Sequence, residues 1–305
     1  MQAEPTLTNR SNLDNLTAQT ALPAPAPVPA PAPAPAPASV PAPVPVPMPG
    51  MIETRGPGGM NIEELGAGPR LLLVHGGGAC GARAWAHQEP LAERWRLVMP
   101  HRPGYGKSPE LGREDFDVDA PLIAALLGDG AHLVGHSYGG VVALLAAAQR
   151  PERVRSLVLV EPGATRIARH VPAVAAFEAA LQRAIDKAPP TDPERRLRAL
   201  FDVIEPSRVI PSPLPPPLVR AAQRLAEMRW PMEAEIPTAA LRAATFPKLV
   251  ITGGGSPAFE AIADVLADAI GAERAIVPGD HATQDQGAPF NDVLERFLAR
   301  AEGRA

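Results

Sequence analysis

The sequence is poor in cysteine and in aromatic residues, and it has little net charge. Cys80 is the one cysteine in 305 residues, which excludes an internal disulfide framework and fits a reducing compartment. No run of about 18 apolar residues occurs, so no transmembrane helix is expected. A net charge of −4 offers no basic surface for nucleic acid or an anionic membrane. We therefore expect neither as a partner, and a cytoplasmic location is the default.

Proline, in contrast, is abundant and unevenly distributed, with 39 residues in the chain. Residues 23–49 are almost entirely proline alternating with alanine and valine. Such a segment favours an extended polyproline II chain and cannot form a packed core. The composition predicts a disordered Pro/Ala-rich extension over residues 1–49 and a folded domain over residues 50–302. The extension is either a tether or a stretch upstream of a start at Met51 or Met60.

After residue 50, apolar strand patterns alternate with helical patterns, which predicts an α/β fold. The expected structure is a mostly parallel, doubly wound sheet with helices on both faces. Ligands of such sheets bind beyond the carboxyl ends of the strands. The strand candidates are 51–55, 60–64, 70–74, 96–99, the short apolar run that begins at 131, 155–160, 248–252 and 275–277. The helix candidates of the domain are 85–95, 120–127, 141–148, 257–270 and 288–302.

Residues 162–245 interrupt this alternation. They contain the helical patterns 173–188, 193–203 and 218–229 and a proline-rich bend over 206–217. The pattern predicts a helical cap that is inserted between two sheet strands and lies over the site.

The segment Ala131–Gly140 carries the strongest chemical signal. It reads as a strand that ends in Gly135-His136-Ser137-Tyr138-Gly139 and leads into a helix. This Gly-x-Ser-x-Gly pattern between strand and helix is typical of a nucleophile elbow, in which the serine stands on a sharp turn at a helix N-terminus. We interpret Ser137 as a nucleophile, and the alternative is an ordinary glycine-rich connection.

His281 is the best candidate for the general base that a serine nucleophile needs. It follows the last predicted strand in Gly279-Asp280-His281, and its place after the serine fits the hydrolase order of serine, acid and histidine. His136 lies inside the elbow, where its side chain is expected to point away from that of Ser137. The alternative for His281 is a solvated loop position.

Two backbone amides are candidates for an oxyanion hole. One is the N–H of Tyr138, directly after the nucleophile. The other lies in the glycine run after the strand 70–74, and we expect Gly77, with Gly78 as the next candidate. A phosphate-binding loop is a weak alternative, because no lysine and serine or threonine follow the glycines.

Together these motifs resemble the α/β-hydrolase superfamily. The similar features are His75-Gly76-Gly77-Gly78, Pro103-Gly104-Tyr105-Gly106-Lys107-Ser108, the Ser137 elbow and Gly279-Asp280-His281 in this order, and they cover residues 50–302. The resemblance implies the serine-nucleophile, cofactor-free branch, with no bound metal. It identifies the substrate poorly, because this fold hosts esterases, lactonases, peptidases and lyases.

The sequence departs from the superfamily pattern at the triad acid. Members usually carry it after the strand that corresponds to residues 248–252, but glycines follow that strand here and the first carboxylate is Glu260. The family's other acid position follows the preceding strand, where this chain has Glu161. The resemblance therefore implies Glu161 as the acid, with Glu260 or no acid as the alternatives.

We expect a serine hydrolase of a small ester or lactone, with a small-molecule substrate and an acyl-enzyme intermediate. The short, apolar predicted cap favours a small substrate. One alternative is carbon–carbon bond hydrolysis or a lyase reaction on the same scaffold. Another is a non-catalytic protein of the hydrolase fold that binds a ligand, which the absent acid after residue 252 keeps open.

Overall fold

The computed structural model describes residues 49–303, and residues 1–48 of the predicted extension lie outside them. Within the described range, eight strands form one sheet. The strands are β1 Ile52–Arg55, β2 Asn61–Leu65, β3 Arg70–Val74, β4 Arg96–Pro100, β5 Ala131–His136, β6 Val154–Val160, β7 Lys248–Gly254 and β8 Glu273–Gly279.

The strand order is β1-β2-β4-β3-β5-β6-β7-β8. β2 pairs antiparallel with β1 and with β4, and the other neighbouring pairs are parallel. The strand that leads to Ser137, β5, therefore lies between β3 and β6. This arrangement confirms the predicted α/β fold with a mostly parallel sheet, and it brings the loops after β3, β5, β6, β7 and β8 to one edge.

Helices cover both faces of the sheet. Successive side chains of the central strands point to opposite faces and are therefore buried on both sides. Leu72 belongs to an apolar cluster with helix residues over 116–126, 138–149 and 257–270. Leu71 belongs to a second cluster, with residues of the 3-10 helix Ala86–Glu93 and of the helix over 288–301. The helices are α1 Gly81–Ala84, α2 Phe116–Leu126, α3 Tyr138–Gln149, α4 Pro172–Lys187, α5 Pro193–Ile204, α6 Pro216–Glu227, α7 Thr238–Ala243, α8 Pro257–Ile270 and α9 Ala288–Ala301.

The chain between β6 and β7 contains helices α4 to α7. Helices α5 and α6 share a small apolar cluster that is separate from the sheet core, while Val174 of α4 joins the main core. The cluster contains Leu181, Leu197, Leu200, Phe201, Leu214, Leu218, Ala222 and Leu225. The division into a domain over 50–302 and a cap over 162–245 stays a prediction.

Three helices differ from the sequence expectation. The helix predicted over 85–95 is instead the short α1 followed by a 3-10 helix, in which Pro90 removes a backbone donor. Helix α2 begins at Phe116, before the predicted start, because Asp115 accepts a hydrogen bond from the Asp117 N–H at 3.0 Å and caps the helix. Helix α7 was not predicted.

Membrane insertion has no candidate segment in the described part of the chain. Among residues 49–303, none of the helices combines the length and apolar character that crossing a bilayer requires. The cytoplasmic location stays a prediction.

Candidate active site

Ser137 occupies a strained turn between β5 and α3, with φ of 53° and ψ of −119°. Within residues 49–303, Ser137 and Glu161 are the non-glycine residues with positive φ. Such conformations cost on the order of 1–3 kcal/mol and concentrate at functional sites. The turn requires glycine at position 139, because a Cβ there would collide with the backbone carbonyl of His75. The strain therefore singles out two of the predicted site residues.

His281 reaches Ser137 from the loop after β8. Its Nε2 lies 2.8 Å from Ser137 Oγ, which is within hydrogen-bond distance. The ring is mostly buried and packs against the Phe259 ring, with 4.5 Å between centroids. This is the nucleophile–base geometry that activates a serine hydroxyl.

Glu161 follows β6 and faces the other nitrogen of the His281 ring. Its Oε2 lies 3.4 Å from His281 Nδ1, which is longer than an ordinary N–H···O bond. Neither atom has another hydrogen-bond partner among the described residues. Glu161 Oε1 accepts a hydrogen bond from the Gly253 N–H at 2.6 Å. The end of β7 thus supplies a backbone donor that holds the Glu161 carboxylate.

Glu260, the alternative acid, has other partners. Its Oε2 accepts a hydrogen bond from Arg274 Nη2 at 2.8 Å, and its Oε1 accepts one from the Gly254 N–H at 3.2 Å. The structure therefore brings Glu161, and not Glu260, to the His281 ring. Across residues 49–303, no group of three or more His, Cys, Asp or Glu side chains could hold a metal ion.

The predicted oxyanion amides belong to the residue after Ser137 and to the glycine loop that approaches it. Tyr138 is the first residue of α3, so its N–H has no intrahelical acceptor. In the described part of the chain, the backbone amides of Tyr138 and Gly77 donate to no protein acceptor. A Cβ at Gly76 would come within 2.9 Å of Ser137 Cβ, so the glycine loop approaches the nucleophile as only glycine permits.

Comparison with known proteins agrees with this architecture. A family model described as the alpha/beta hydrolase fold matches residues 69–203. The pimeloyl-[acyl-carrier protein] methyl ester esterase of Aeromonas hydrophila is 39% identical over 113 residues, which cover 36% of this chain and 44% of that protein. The solved structure of a thermophilic esterase from Thermogutta terrifontis, 22% identical, superposes with a TM-score of 0.54 over 82% of this chain and 98% of that chain. These matches show that the chain has the alpha/beta hydrolase fold.

A second relative carries a different name. The 2-hydroxymuconate semialdehyde hydrolase of Pseudomonas sp. strain CF600 is 37% identical over 109 residues, which cover 32% of this chain and 38% of that protein. The chain thus spans less than half the length of both curated relatives. The family match contains Ser137 and Glu161, whereas His281 lies beyond it. The likeness to the solved esterase shows the fold alone.

His136 has a contact in the candidate site that the sequence does not predict. Its Nε2 lies 3.0 Å from the backbone oxygen of His281, and the two ring centroids are 5.1 Å apart. Burial, followed by the charge of His281, lowers the pKa of His136 to about 3. No local signal could have revealed this contact, because it joins residues that are far apart in the chain.

Arg102 is the second residue that sequence reasoning missed. The side chain is fully buried, and its Nε and Nη2 donate to the backbone oxygens of His75 and Gly76 at 3.0 Å each. Glu114 and Asp119 lie 2.7 and 2.8 Å from the guanidinium. Burial opposes the charge, but the carboxylates raise the pKa of Arg102 well above its ordinary value. Arg102 therefore fixes the loop that carries the Gly77 amide.

Apolar side chains of the helices between β6 and β7 lie over the glycine loop. A Cβ at Gly77 would lie 3.6 Å from Leu225 Cδ2, and one at Gly78 would lie 3.5 Å from Phe201 Cζ. Ser207 Oγ, in the same segment, donates to Asp280 Oδ2 at 2.5 Å, next to His281. The space beside Ser137 is therefore bounded by apolar groups on this side.

Proposed function

We propose that this α/β hydrolase cleaves small carboxylic esters or lactones through an acyl-enzyme intermediate. The observation that carries the proposal is the 2.8 Å contact between Ser137 Oγ and His281 Nε2 at a strained elbow. A serine hydroxyl is a weak nucleophile until a base takes its proton, and this contact supplies the base. The name of the Aeromonas relative, a methyl ester esterase, supports an ester as the substrate class.

The first half of the reaction forms the acyl-enzyme. Ser137 Oγ attacks the carbonyl carbon of the ester while His281 Nε2 takes the hydroxyl proton. The carbonyl oxygen becomes an oxyanion, which accepts hydrogen bonds from the N–H groups of Tyr138 and Gly77. When the tetrahedral intermediate collapses, the bond to the leaving alkoxide breaks and the proton on His281 passes to it. The alcohol leaves and the acyl group stays on Ser137.

The second half repeats the sequence with water. His281 takes a proton from the water as its oxygen attacks the acyl carbon, and the proton then returns to Ser137 Oγ as the carboxylic acid leaves. Glu161 holds the ring in the tautomer with the proton on Nδ1 and stabilises the imidazolium. The Gly253 amide, 2.6 Å from Glu161 Oε1, keeps that carboxylate in place.

The surroundings of the nucleophile support an apolar acyl group. Phe201 and Leu225 lie over the glycine loop, and Phe259 packs on the base. Apolar walls stabilise an apolar acyl chain by removing its surface from water, at about 25 cal/mol per Å². A substrate with a short, uncharged acyl group fits these surroundings best.

Hydrolysis of p-nitrophenyl acetate, butyrate and octanoate tests the proposal. We expect turnover by the wild type, loss in Ser137→Ala, and a large decrease in Glu161→Gln. Glu260→Gln is the matched control, and we expect it to keep near wild-type activity because Glu260 pairs with Arg274. Wild-type turnover that is no faster than that of Ser137→Ala on all three esters would refute the esterase proposal.

Carbon–carbon bond hydrolysis is a second candidate, and the name of the Pseudomonas relative favours it. A ring-cleavage product with a vinylogous diketone tests it, since an esterase leaves such a compound intact. A non-catalytic binding role is the remaining alternative. Labelling by a fluorophosphonate separates it from both enzyme candidates, because only an activated Ser137 reacts with the probe.

A further inference from the structure

His136 precedes the nucleophile in the chain and contacts the base in space. Its Nε2 and the His281 carbonyl oxygen are 3.0 Å apart, across 145 residues of sequence. From this contact we infer that His136 is a positioning residue, whose ring N–H holds the His281 backbone and so sets the distance between base and nucleophile. The inference rests on the proposed function, because it assigns a role within the same site.

The hydrogen bond defines the tautomer of the His136 ring. A carbonyl oxygen only accepts, so Nε2 must carry the proton and Nδ1 is bare. That bare nitrogen lies 3.0 Å from the position of a Cβ on Gly76. The ring is therefore enclosed between the loop of the base on one side and the loop of the oxyanion amides on the other.

Backbone contacts on the Ser137 side make His136 a firm support. The Ser137 N–H donates to the Val160 carbonyl at 2.9 Å, and the Ser137 carbonyl accepts from the Gly163 N–H at 3.1 Å. His136 lies at the end of a central, fully buried strand. His281, in contrast, lies in a loop beyond the edge strand β8. The hydrogen bond therefore holds the loop that carries His281 to His136, which the central strand keeps in place.

The electrostatic surroundings keep this donor neutral. The charged or titratable groups that act on the His136 ring are His281 from the base loop and Arg208 from the chain between β6 and β7, and both disfavour a second positive charge. Burial acts in the same direction and lowers the pKa of His136 to about 3. When His281 becomes an imidazolium during the reaction, a neutral neighbour adds no repulsion.

The side-chain hydrogen bond, and not only the volume of the ring, should matter for activity. Glutamine places an amide N–H at a similar reach and can restore the hydrogen bond, whereas leucine fills space without a donor. We expect His136→Leu to lower kcat on p-nitrophenyl butyrate by about 10- to 100-fold with a small change in KM, because a displaced base slows the chemical step. We expect His136→Gln to recover most of that loss.

His132 provides the matched control, because it is a fully buried imidazole near the other end of the same strand. We expect His132→Gln to leave kcat unchanged. Equal kcat for His136→Leu and His136→Gln, whether both stay at the wild-type value or both fall, overturns the positioning role. A His132→Gln variant that loses as much kcat as His136→Leu also overturns it, because the loss would then report general disturbance of the strand.

Nitrogen-15 NMR of the histidine rings tests the hydrogen bond without any turnover. We expect the wild-type His136 ring to stay in the neutral Nε2–H tautomer from about pH 5 to about pH 9, where a free imidazole would titrate. A bare Nε2, or titration in this range, overturns the inference. If the wild type cleaves no ester, the proposed function fails, and this spectrum still decides whether the hydrogen bond exists.

Discussion

Two sets of serine, histidine and glutamate lie at opposite ends of β5 and β6. At the carboxyl ends, Ser137 Oγ is 2.8 Å from His281 Nε2, and Glu161 Oε2 is 3.4 Å from the other nitrogen of that ring. Near the amino ends, Ser156 Oγ is 2.7 Å from His132 Nδ1, and Glu302 Oε1 is 3.1 Å from His132 Nε2. The second set has distances that are as short as those of the first.

The surroundings of the two serines differ. Ser156 is fully buried within a regular strand, so no substrate can reach it. Through His132, Ser156 is linked to Glu302 at the end of α9, so these residues connect that helix to the sheet. Arg155 adds a 2.9 Å ion pair to Glu302. Ser137 is partly exposed, stands on a strained turn, and is followed by Tyr138, whose backbone amide donates to no acceptor among the described residues. These differences in exposure, backbone strain and free backbone donors support the proposed reactive role of the first set and a structural role for the second.

The largest expected difference is in the activity of two serine variants. We expect Ser137→Ala to lower kcat/KM on p-nitrophenyl butyrate by at least about 10³-fold, because no other group can form the acyl-enzyme. Ser156→Ala should keep kcat/KM near the wild-type value, because Ser156 is fully buried and lies away from the proposed nucleophile. Comparable losses in both variants would remove the distinction between the two sets.

Variants of Glu161 and Glu302 should also differ in activity, but by less than the two serine variants. We expect Glu161→Gln to lower kcat by about 10²- to 10⁴-fold, because an amide no longer holds the His281 tautomer or stabilises its imidazolium. Glu302→Gln should leave kcat unchanged and lower the midpoint of thermal unfolding slightly. Steady-state assays combined with thermal melts check this pair, and an active Glu161→Gln enzyme would contradict the assignment of the acid.

Acid should destabilise the fold through the buried imidazole beside the reactive set. The folded state lowers the pKa of His136 from an ordinary 6.5 to about 3. Between these values the unfolded chain binds the proton and the folded chain does not, so the free energy of unfolding falls as the pH drops, by up to about 1.4 kcal/mol per pH unit for one group. His136→Gln should show a shallower decline in urea unfolding between about pH 7 and about pH 5, and an identical slope would contradict this assignment.

The smallest expected effect is on stability at the structural set. Ser156→Ala removes a 2.7 Å hydrogen bond to His132 Nδ1 in the core. We expect the free energy of unfolding to fall by about 1–3 kcal/mol, the cost of a buried polar atom that loses its partner. Urea denaturation measures it, with Ser137→Ala as the comparison. A Ser156→Ala protein as stable as wild type would mean that water or relaxation replaces the bond.

Much of the fold and part of the site followed from local pattern. Strand runs such as Arg70–Val74 are apolar at every position after the first, so their burial on two faces was readable. The elbow at Ser137 could be predicted because its strand, turn and helix follow each other directly in the sequence. His281 followed from chain order and from its position after the last strand. Each of these signals lies within a few residues of the group that it identifies.

The sequence alone leaves both Glu161 and Glu260 open as the acid, because each follows a strand and the two strands are neighbours in the sheet. The structure separates them by partner. Arg274, on β8, binds the Glu260 carboxylate, while Glu161 adopts a strained φ of 44° and faces His281. An ion pair with an arginine 14 residues further along the chain has no local signature.

The sequence by itself predicted the α/β class and the order in which the strands and the loops with candidate site residues follow each other. It also indicated Ser137 and His281 as candidate site residues. These predictions were possible because hydrophobic periodicity and turn chemistry are short-range properties. Only the tertiary structure decided which carboxylate faces the base, that Arg102 fixes the oxyanion loop, and that His136 rather than His132 contacts the reactive set. These outcomes depend on which side chains meet across adjacent strands. That pairing is set by sheet order and register, which local sequence does not encode.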